Sequence, residues 1–436
     1  MLATPPVPGT FHSTCPAAFA SKPAPTDSGG ANAYMTAADA DRNAETLIKH
    51  GAQPLCSPSV LPNLFATFEV GRDESLFEPA LLECLAEGQS RRSKRLQMLI
   101  SVQALRALAA WAVVCHHFMQ IFFDFHPSGP VGRFFTEKGA VGVDIFFVIS
   151  GLVIYLSTVD RDIPAGRFML NRVIRIVPAY WLYTLVMGLL VVVAQPLLPH
   201  QVVDWQSFIL SLLFIPSENP GGYGLYPTLN VGWTLNYEML FYVLFSMVFL
   251  FQQRLRPLIL GAALFAITDV LGRSGLVSRF YANDIVYEFL LGIFVGIVYR
   301  RGWIGERLWL PLLAIGAALF AIDNLQPAPR IINWGLPSAV IVVACISLEP
   351  YLRNYRLLKV MGDCSYSVYL LHVLVLYAGW LVSERYGLNP YGVFAVCVPV
   401  IALGAWLSYE WIEKGLYRRM KGWLDERRAV REAALS

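Results

Sequence analysis

From Leu99 onward the sequence is a succession of apolar segments separated by short loops that hold most of the charge. A helix needs about 20 mostly apolar residues to cross the hydrocarbon of a bilayer. Segments of that kind lie near 99–123, 139–158, 176–196, 231–251, 257–272, 284–299, 308–323, 331–348, 366–384 and 391–411. The expected fold is all-α: a polytopic membrane helix bundle of about ten transmembrane helices. Composition agrees, since 56% of the 436 residues are apolar and 15% charged, against roughly 45–50% and about 25% in soluble domains. That excludes a soluble multidomain enzyme, a disordered chain and a nucleic-acid binder; the apolar surplus has membrane lipids as its partner. Seven scattered cysteines form no CxxC pair and no metal-ligand spacing, which argues against a disulfide framework and against a metal site.

Loop charge sets the expected orientation. Cytoplasmic loops are enriched in Lys and Arg. With the N-terminus inside, the inner loops carry Arg161, Arg167, Arg172, Arg175, Arg254, Arg256, Arg300, Arg301, Arg307, Arg353, Arg356 and Lys359. The outer loops carry half as many: Arg133, Lys138, Arg273, Arg279, Arg330 and Arg385. An eleventh apolar stretch, Phe208–Ile215, is too short to cross; if it did, the later basic clusters would face outward. The expectation is ten spans in the inner membrane with both termini cytoplasmic.

Residues 1–96 are rich in Ala, Pro, Ser, Thr and Gly and hold no spanning segment or signal peptide. They read either as a poorly ordered cytoplasmic extension or as a stretch upstream of a start at Met98. A short helix is expected near Leu76–Glu87 from the spacing of Leu76, Leu81, Leu82 and Leu85. The expected organisation is an extension over 1–96, a membrane domain over 97–415 and a basic tail over 416–436, with no internal repeat.

Ionisable residues inside spans cost roughly 2.5–3.5 kcal/mol each on insertion scales, so those present face an interior or pair with something. Here they are Arg106, His116, His117, Asp144, Glu238, Glu288 and His372. Arg106 and His117 are eleven residues apart. At 100° per residue they share one helix face, separated by roughly 16 Å along the axis. His116 points about 80° away from Arg106. This stripe reads as a polar channel facing the bundle; the bland alternative is a snorkelling arginine and histidines satisfied by carbonyls. Cys115 falls off the stripe. Glu288 and His372 read as structural. Ser150 and Gly151 read as a site of close helix approach.

Ordered strings then carry a resemblance. They are SVQALRALAAWAVVCHH (Ser101–His117), GAVGVDIFFVISGLVI (Gly139–Ile154), FMLNRVIRIVPAYW (Phe168–Trp181), GWTLNYEMLFYVLF (Gly232–Phe245), the weaker YEFLLG (Tyr287–Gly292), GDCSYSVYLLH (Gly362–His372) and a closing WIEKGL (Trp411–Leu416). From Ser101 to about Lys414 the chain resembles the acyltransferase family 3 of integral membrane O-acyltransferases, in the branch that decorates exopolysaccharides and surface glycans. The family's Arg and His are eleven apart, which selects His117 rather than His116. Where the family often has adjacent arginines in the third motif, this chain has Asn171 and Arg172, so one positive charge is missing. No hydrolase-like domain follows the bundle, which places acceptor chemistry within it.

The resemblance implies transfer of an acyl group, commonly acetyl, from cytoplasmic acyl-CoA to a sugar hydroxyl, with no tightly bound cofactor. The partners implied are acyl-CoA and a saccharide or lipid-linked saccharide. His117 is the candidate general base. Arg106 is the candidate for orienting the donor or stabilising developing negative charge. Arg172 and Arg175 are candidates for the coenzyme A phosphates. Asp144 reads as orienting His117, holding the acceptor, or capping its helix. Glu238, near Trp233 and Tyr237, reads as a sugar-binding carboxylate or a buried structural one. A saccharide transporter or flippase would explain the intramembrane charges equally well, but not the motif order.

Overall fold

The computed structural model describes residues 99–426, apart from 160, 162, 195–200, 326–327 and 424–425. The extension, the expected helix near Leu76–Glu87 and the last ten residues lie outside the described residues. Within them the chain is a helical bundle without strands.

The helices are α1 (Ile100–Phe123), α2 (Pro130–Lys138), α3 (Val141–Thr158), α4 (Ala165–Ala194), α5 (Trp205–Leu212), α6 (Trp233–Met247), α7 (Arg256–Phe265), α8 (Tyr287–Arg300), α9 (Trp309–Asn324), α10 (Leu336–Ser347), α11 (Glu349–Leu352), α12 (Arg356–Asp363), α13 (Ser365–Tyr386) and α14 (Pro390–Ser408). Single-turn and π-helical pieces extend α6, α7, α8, α10 and α14, so all ten expected segments are helical. Six of these helical segments are long and apolar enough to cross a membrane, and α9 and the Ile331–Ser347 segment are shorter apolar helices. The expected all-α bundle is the observed one.

The pattern of α4 shows why this bundle belongs in lipid. Tyr180, Tyr183, Thr184, Met187, Gly188 and Val191 are buried at three- and four-residue spacing. Leu182, Leu185, Val186, Leu189, Val192 and Val193 between them are exposed. A soluble helix places polar residues on its outer face; an exposed leucine–valine stripe of this length is stable facing hydrocarbon.

The stretch Phe208–Ile215 forms no helix long enough to cross a membrane. It contributes the eight-residue α5, whose Asp204 cap accepts from the Ser207 amide. Two hydrogen bonds tie α5 to α4: Tyr180 Oη donates to Ser211 O at 3.0 Å and Trp181 Nε1 to Leu212 O at 2.8 Å.

Helix α1 is central, packing against α2, α3, α10, α11, α12 and α13. Its Ala104, Ala107, Ala109 and Ala110 are buried, and small residues let helices approach without a hydrophobic driving force in lipid. Close approach is sharpest where α3 crosses α8: a Cβ on Gly151 would lie 2.0 Å from Phe289 O, and one on Gly292 2.0 Å from Val148 O. Gly151 is the contact point the sequence suggested; Ser150 has another task, described below.

Candidate functional site

Two cavities lie along α1. The larger, about 1650 Å³, is lined near the C-terminal end of α1 by His116, His117 and Gln120. Its other walls include the aromatic residues Tyr223, Tyr226, Trp233, Tyr237, Tyr377 and Trp380 and the cations Arg273, Arg279 and Arg330. The smaller, about 110 Å³, is lined near the N-terminal end of α1 by Arg106, Arg172, Arg175, Glu238, Ser150 and Tyr242. Val143 and Tyr369 line both. Arg106 and His117 therefore do face the bundle interior from one stripe, but each opens into its own chamber. Cys115 lines neither cavity.

The arginine chamber is built by the first, second, third, fourth and sixth sequence strings. Arg172 Nη2 donates to Ser157 Oγ at 3.2 Å, and its guanidinium lies 5.3 Å from the Phe168 ring centroid and 5.7 Å from that of Tyr242. Its Nε is buried with no hydrogen-bond partner, an N–H left available for a ligand. Arg106 Nη1 donates to Gln103 Oε1 at 3.1 Å, and Gln103 Nε2 donates to Asp363 Oδ1 at 2.7 Å. Asp363 can reach Gln103 because a Cβ on Gly362 would lie 2.3 Å from Gln103 O. The Gly–Asp pair of the sixth string thus holds Arg106 in place from α12.

Of the two readings of Glu238, the structural one, a carboxylate bonded to a neighbouring helix, fits its hydrogen bonds. It does not join Trp233 and Tyr237 against a sugar-sized space; it lies in the arginine chamber, accepting from Ser150 Oγ at 3.1 Å and from Tyr242 Oη. Helix geometry is the reason: Trp233 and Glu238 are five residues apart, about 140° around the axis and more than a turn along it.

Asp144 requires a correction. It is fully buried and bonds Arg330, with Oδ1 accepting from Nε at 2.9 Å and Oδ2 from Nη2 at 2.7 Å. Among the described residues no hydrogen bond links it to His117, and the α3 N-terminus has no side-chain cap. Its face of α3 meets the segment before α10, which delivers Arg330 186 residues away in sequence. The guanidinium also covers the Trp334 ring at 4.6 Å. Glu288 is fully buried beside this pair.

His117 finds its partner elsewhere. His372, read from the sequence as structural, is fully buried, and its Nε2 lies 3.1 Å from His117 Nδ1. His117 Nδ1 lies 3.0 Å from Val113 O, and His372 Nδ1 3.1 Å from Val368 O. His116 Nδ1 lies 3.0 Å from Phe135 O, at the end of α2.

Above the histidines the loop between α5 and α6 is fastened by polar side chains. Tyr223 Oη donates to Gln201 Oε1 at 3.0 Å, and Gln201 Nε2 donates to Tyr377 Oη at 2.9 Å. Burial pushes the Tyr223 phenol up to about 12, so it remains a donor at neutral pH. Tyr369 Oη donates to Val231 O at 3.0 Å and lies 2.9 Å from Thr234 Oγ1. Among the described residues no cluster of three or more His, Cys, Asp or Glu side chains is arranged for a metal.

Sequence reasoning assigned no site role to His372, Arg330 or Tyr369. His372 closes the sixth string, and its place at the end of that string was the available signal. Arg330 carried none, because it lies between apolar segments and its partner is remote.

The family sequence model described as an acyltransferase domain matches residues 99–409. The chain belongs to acyltransferase family 3, and it is a membrane acyltransferase. It is similar to the exopolysaccharide production protein ExoZ of Rhizobium meliloti (strain 1021), 33% identical over 312 residues that cover 68% of this chain and 94% of the relative. It is also similar to the acyltransferase MdmB of Streptomyces mycarofaciens, 28% identical over 65% of this chain and 81% of the relative. A third relative is nodulation protein 10 of Rhizobium leguminosarum bv. viciae, 26% identical over 64% of this chain and 84% of the relative. No solved structure matches. Membership separates the acyltransferase reading from the transporter one.

Proposed function

We propose that this enzyme moves an acyl group, commonly acetyl, from acyl-CoA to a hydroxyl of an exopolysaccharide or surface-glycan sugar. Its place is the inner membrane, with both termini and the arginine chamber on the cytoplasmic side, as the basic loops favour. The observation that carries this reading is the layout of the polar interior: Arg106, Arg172 and Arg175 line the smaller chamber, His117 with Arg273, Arg279 and Arg330 the larger, and Val143 and Tyr369 belong to both.

Coenzyme A phosphates are met by Arg106, Arg172 and Arg175, guanidinium being the side chain best matched to phosphate. Glu238, tethered by Ser150 and Tyr242, offsets that charge when no donor is bound. The donor's flexible arm carries the thioester along α1 toward His117, roughly 16 Å from Arg106. The acceptor occupies the larger chamber, where aromatic faces suit sugar rings and a few polar groups fix orientation. Asp144 holds Arg330 in that chamber's wall. The name of the Rhizobium meliloti relative supports a polysaccharide acceptor.

The chemistry balances on one proton. His117 accepts it from the attacking hydroxyl as the oxygen bonds the thioester carbonyl carbon. The carbon–sulfur bond breaks, and the departing thiolate recovers the proton from His117, giving an ester and free thiol. General-base catalysis contributes about 10²–10⁴-fold. Protein reconstituted in liposomes with radiolabelled acetyl-CoA and polysaccharide should label the polysaccharide, and His117→Ala should lower the rate by that factor. Undiminished transfer by His117→Ala would remove histidine from the mechanism. A deletion strain whose surface polysaccharide keeps all its esters would remove the acceptor assignment.

A further inference from the structure

We propose that His372 is a positioning residue that fixes which nitrogen of His117 takes the acceptor's proton. The inference rests on His117 being the base, and it is carried by hydrogen-bond polarity.

A carbonyl oxygen can only accept. His372 Nδ1, 3.1 Å from Val368 O, therefore carries a hydrogen, and Nε2 of the neutral ring is a bare lone pair. That lone pair faces His117 Nδ1 at 3.1 Å. The other neighbour of His117 Nδ1 is Val113 O at 3.0 Å, again an acceptor. Both acceptors share the single hydrogen of a His117 protonated on Nδ1, a three-centre bond, which leaves its lone pair on Nε2. No described residue hydrogen-bonds His117 Nε2, and the ring lines the larger cavity. The nitrogen left bare is the one free to act as base.

The Val113 contact is a local one, four residues back on the same helix, and gives the ring a single anchor. His372 adds a second anchor from α13, with ring centroids 5.0 Å apart and planes 52° from parallel. Two other titratable groups approach the pair, and both are already engaged: His116 with Phe135 O, and Tyr369 with Val231 O and Thr234. When His117 takes the proton, its Nδ1–H becomes a charged donor to the His372 lone pair. Charge-assisted hydrogen bonds are roughly twice as strong as neutral ones, so this contact tightens as the reaction proceeds and favours the transition state over the ground state. His372 itself neither gains nor loses a proton.

Two measurements test this. Solid-state ¹⁵N spectra of the histidine-labelled full chain in bilayers, with His117 assigned by its loss in His117→Gln, should show both rings protonated on Nδ1. A His117 ring protonated on Nε2 overturns the proposal, and this readout needs neither activity nor a His372 variant. In transfer assays, His372→Leu should cut kcat by at least tenfold, within the ~10⁴-fold cost of losing an orienting partner in a serine protease, with donor KM within about twofold. His372→Gln, whose amide oxygen can accept from His117 Nδ1, should regain at least tenfold over His372→Leu. Parental turnover by His372→Leu, or a His372→Gln protein that binds donor normally yet stays as slow as His372→Leu, overturns it. If His117→Gln transfers at the parental rate, the general-base reading fails while the tautomer measurement still stands.

Discussion

The Asp144–Arg330 pair is where a single residue matters most to stability. Asp144 has no solvent exposure and Arg330 closes over it with two hydrogen bonds. Removing one partner of such a pair strands the other charge, at a cost that solvent reaching Arg330 lowers from the roughly 3–5 kcal/mol of a fully buried pair. Asp144→Ala should therefore lower the melting temperature of the detergent-solubilised protein sharply. Arg330→Ala should do at least as much, since it strands a carboxylate with no solvent exposure, and the double variant should lose clearly less than the sum of the two. At the other chamber, Arg175→Gln should raise donor KM with kcat nearly unchanged, the signature of lost uniform binding; an unchanged KM would take Arg175 out of the donor site. Sequence arithmetic was enough to align Arg106 with His117, because both lie on one rigid helix. It could not pair Asp144 with Arg330 or His117 with His372, because those partnerships depend on which helices touch, and no local period encodes that.

Individual helices show the same divide. Hydropathy placed all ten segments and excluded the short α5, since length and apolar content are local properties. The device that starts α1 was not legible: Ile100 N and Ser101 N donate to the two carboxylate oxygens of Glu349 at 3.0 and 2.7 Å. A residue 249 positions away thus serves as the N-terminal acceptor that Leu99 cannot supply. Losing such a cap costs about 0.5–2 kcal/mol, so Glu349→Ala should lower the melting temperature modestly while donor and acceptor KM hold steady. Gly362→Ala should be harsher. Its Cβ would meet backbone at 2.3 Å, so α12 must move off α1, Asp363 must release Gln103, and Arg106 loses its anchor. We expect reduced folded yield together with weaker donor binding; a well-folded Gly362→Ala protein with normal donor KM would show that the strut is dispensable.

Across the whole molecule, the sixth string is the part that joins everything. Tyr366 Oη bonds Ile176 O at 2.9 Å, Ser367 bonds Ser408 Oγ at 2.9 Å and Glu413, Tyr369 reaches α6, and His372 reaches α1. One helix thereby registers the arginine chamber against the histidine chamber, with Tyr369 between them. A membrane protein with two polar cavities separated at Val143 and Tyr369 is also a potential short circuit. Hydronium and small cations would follow any continuous file of water joining the two cavities. We expect the phenol of Tyr369, which lines both cavities with its hydroxyl held by Val231 O, to interrupt such a file. Tyr369→Ala vesicles should dissipate an imposed pH gradient faster than parental ones, and equal decay would assign the insulation to other groups.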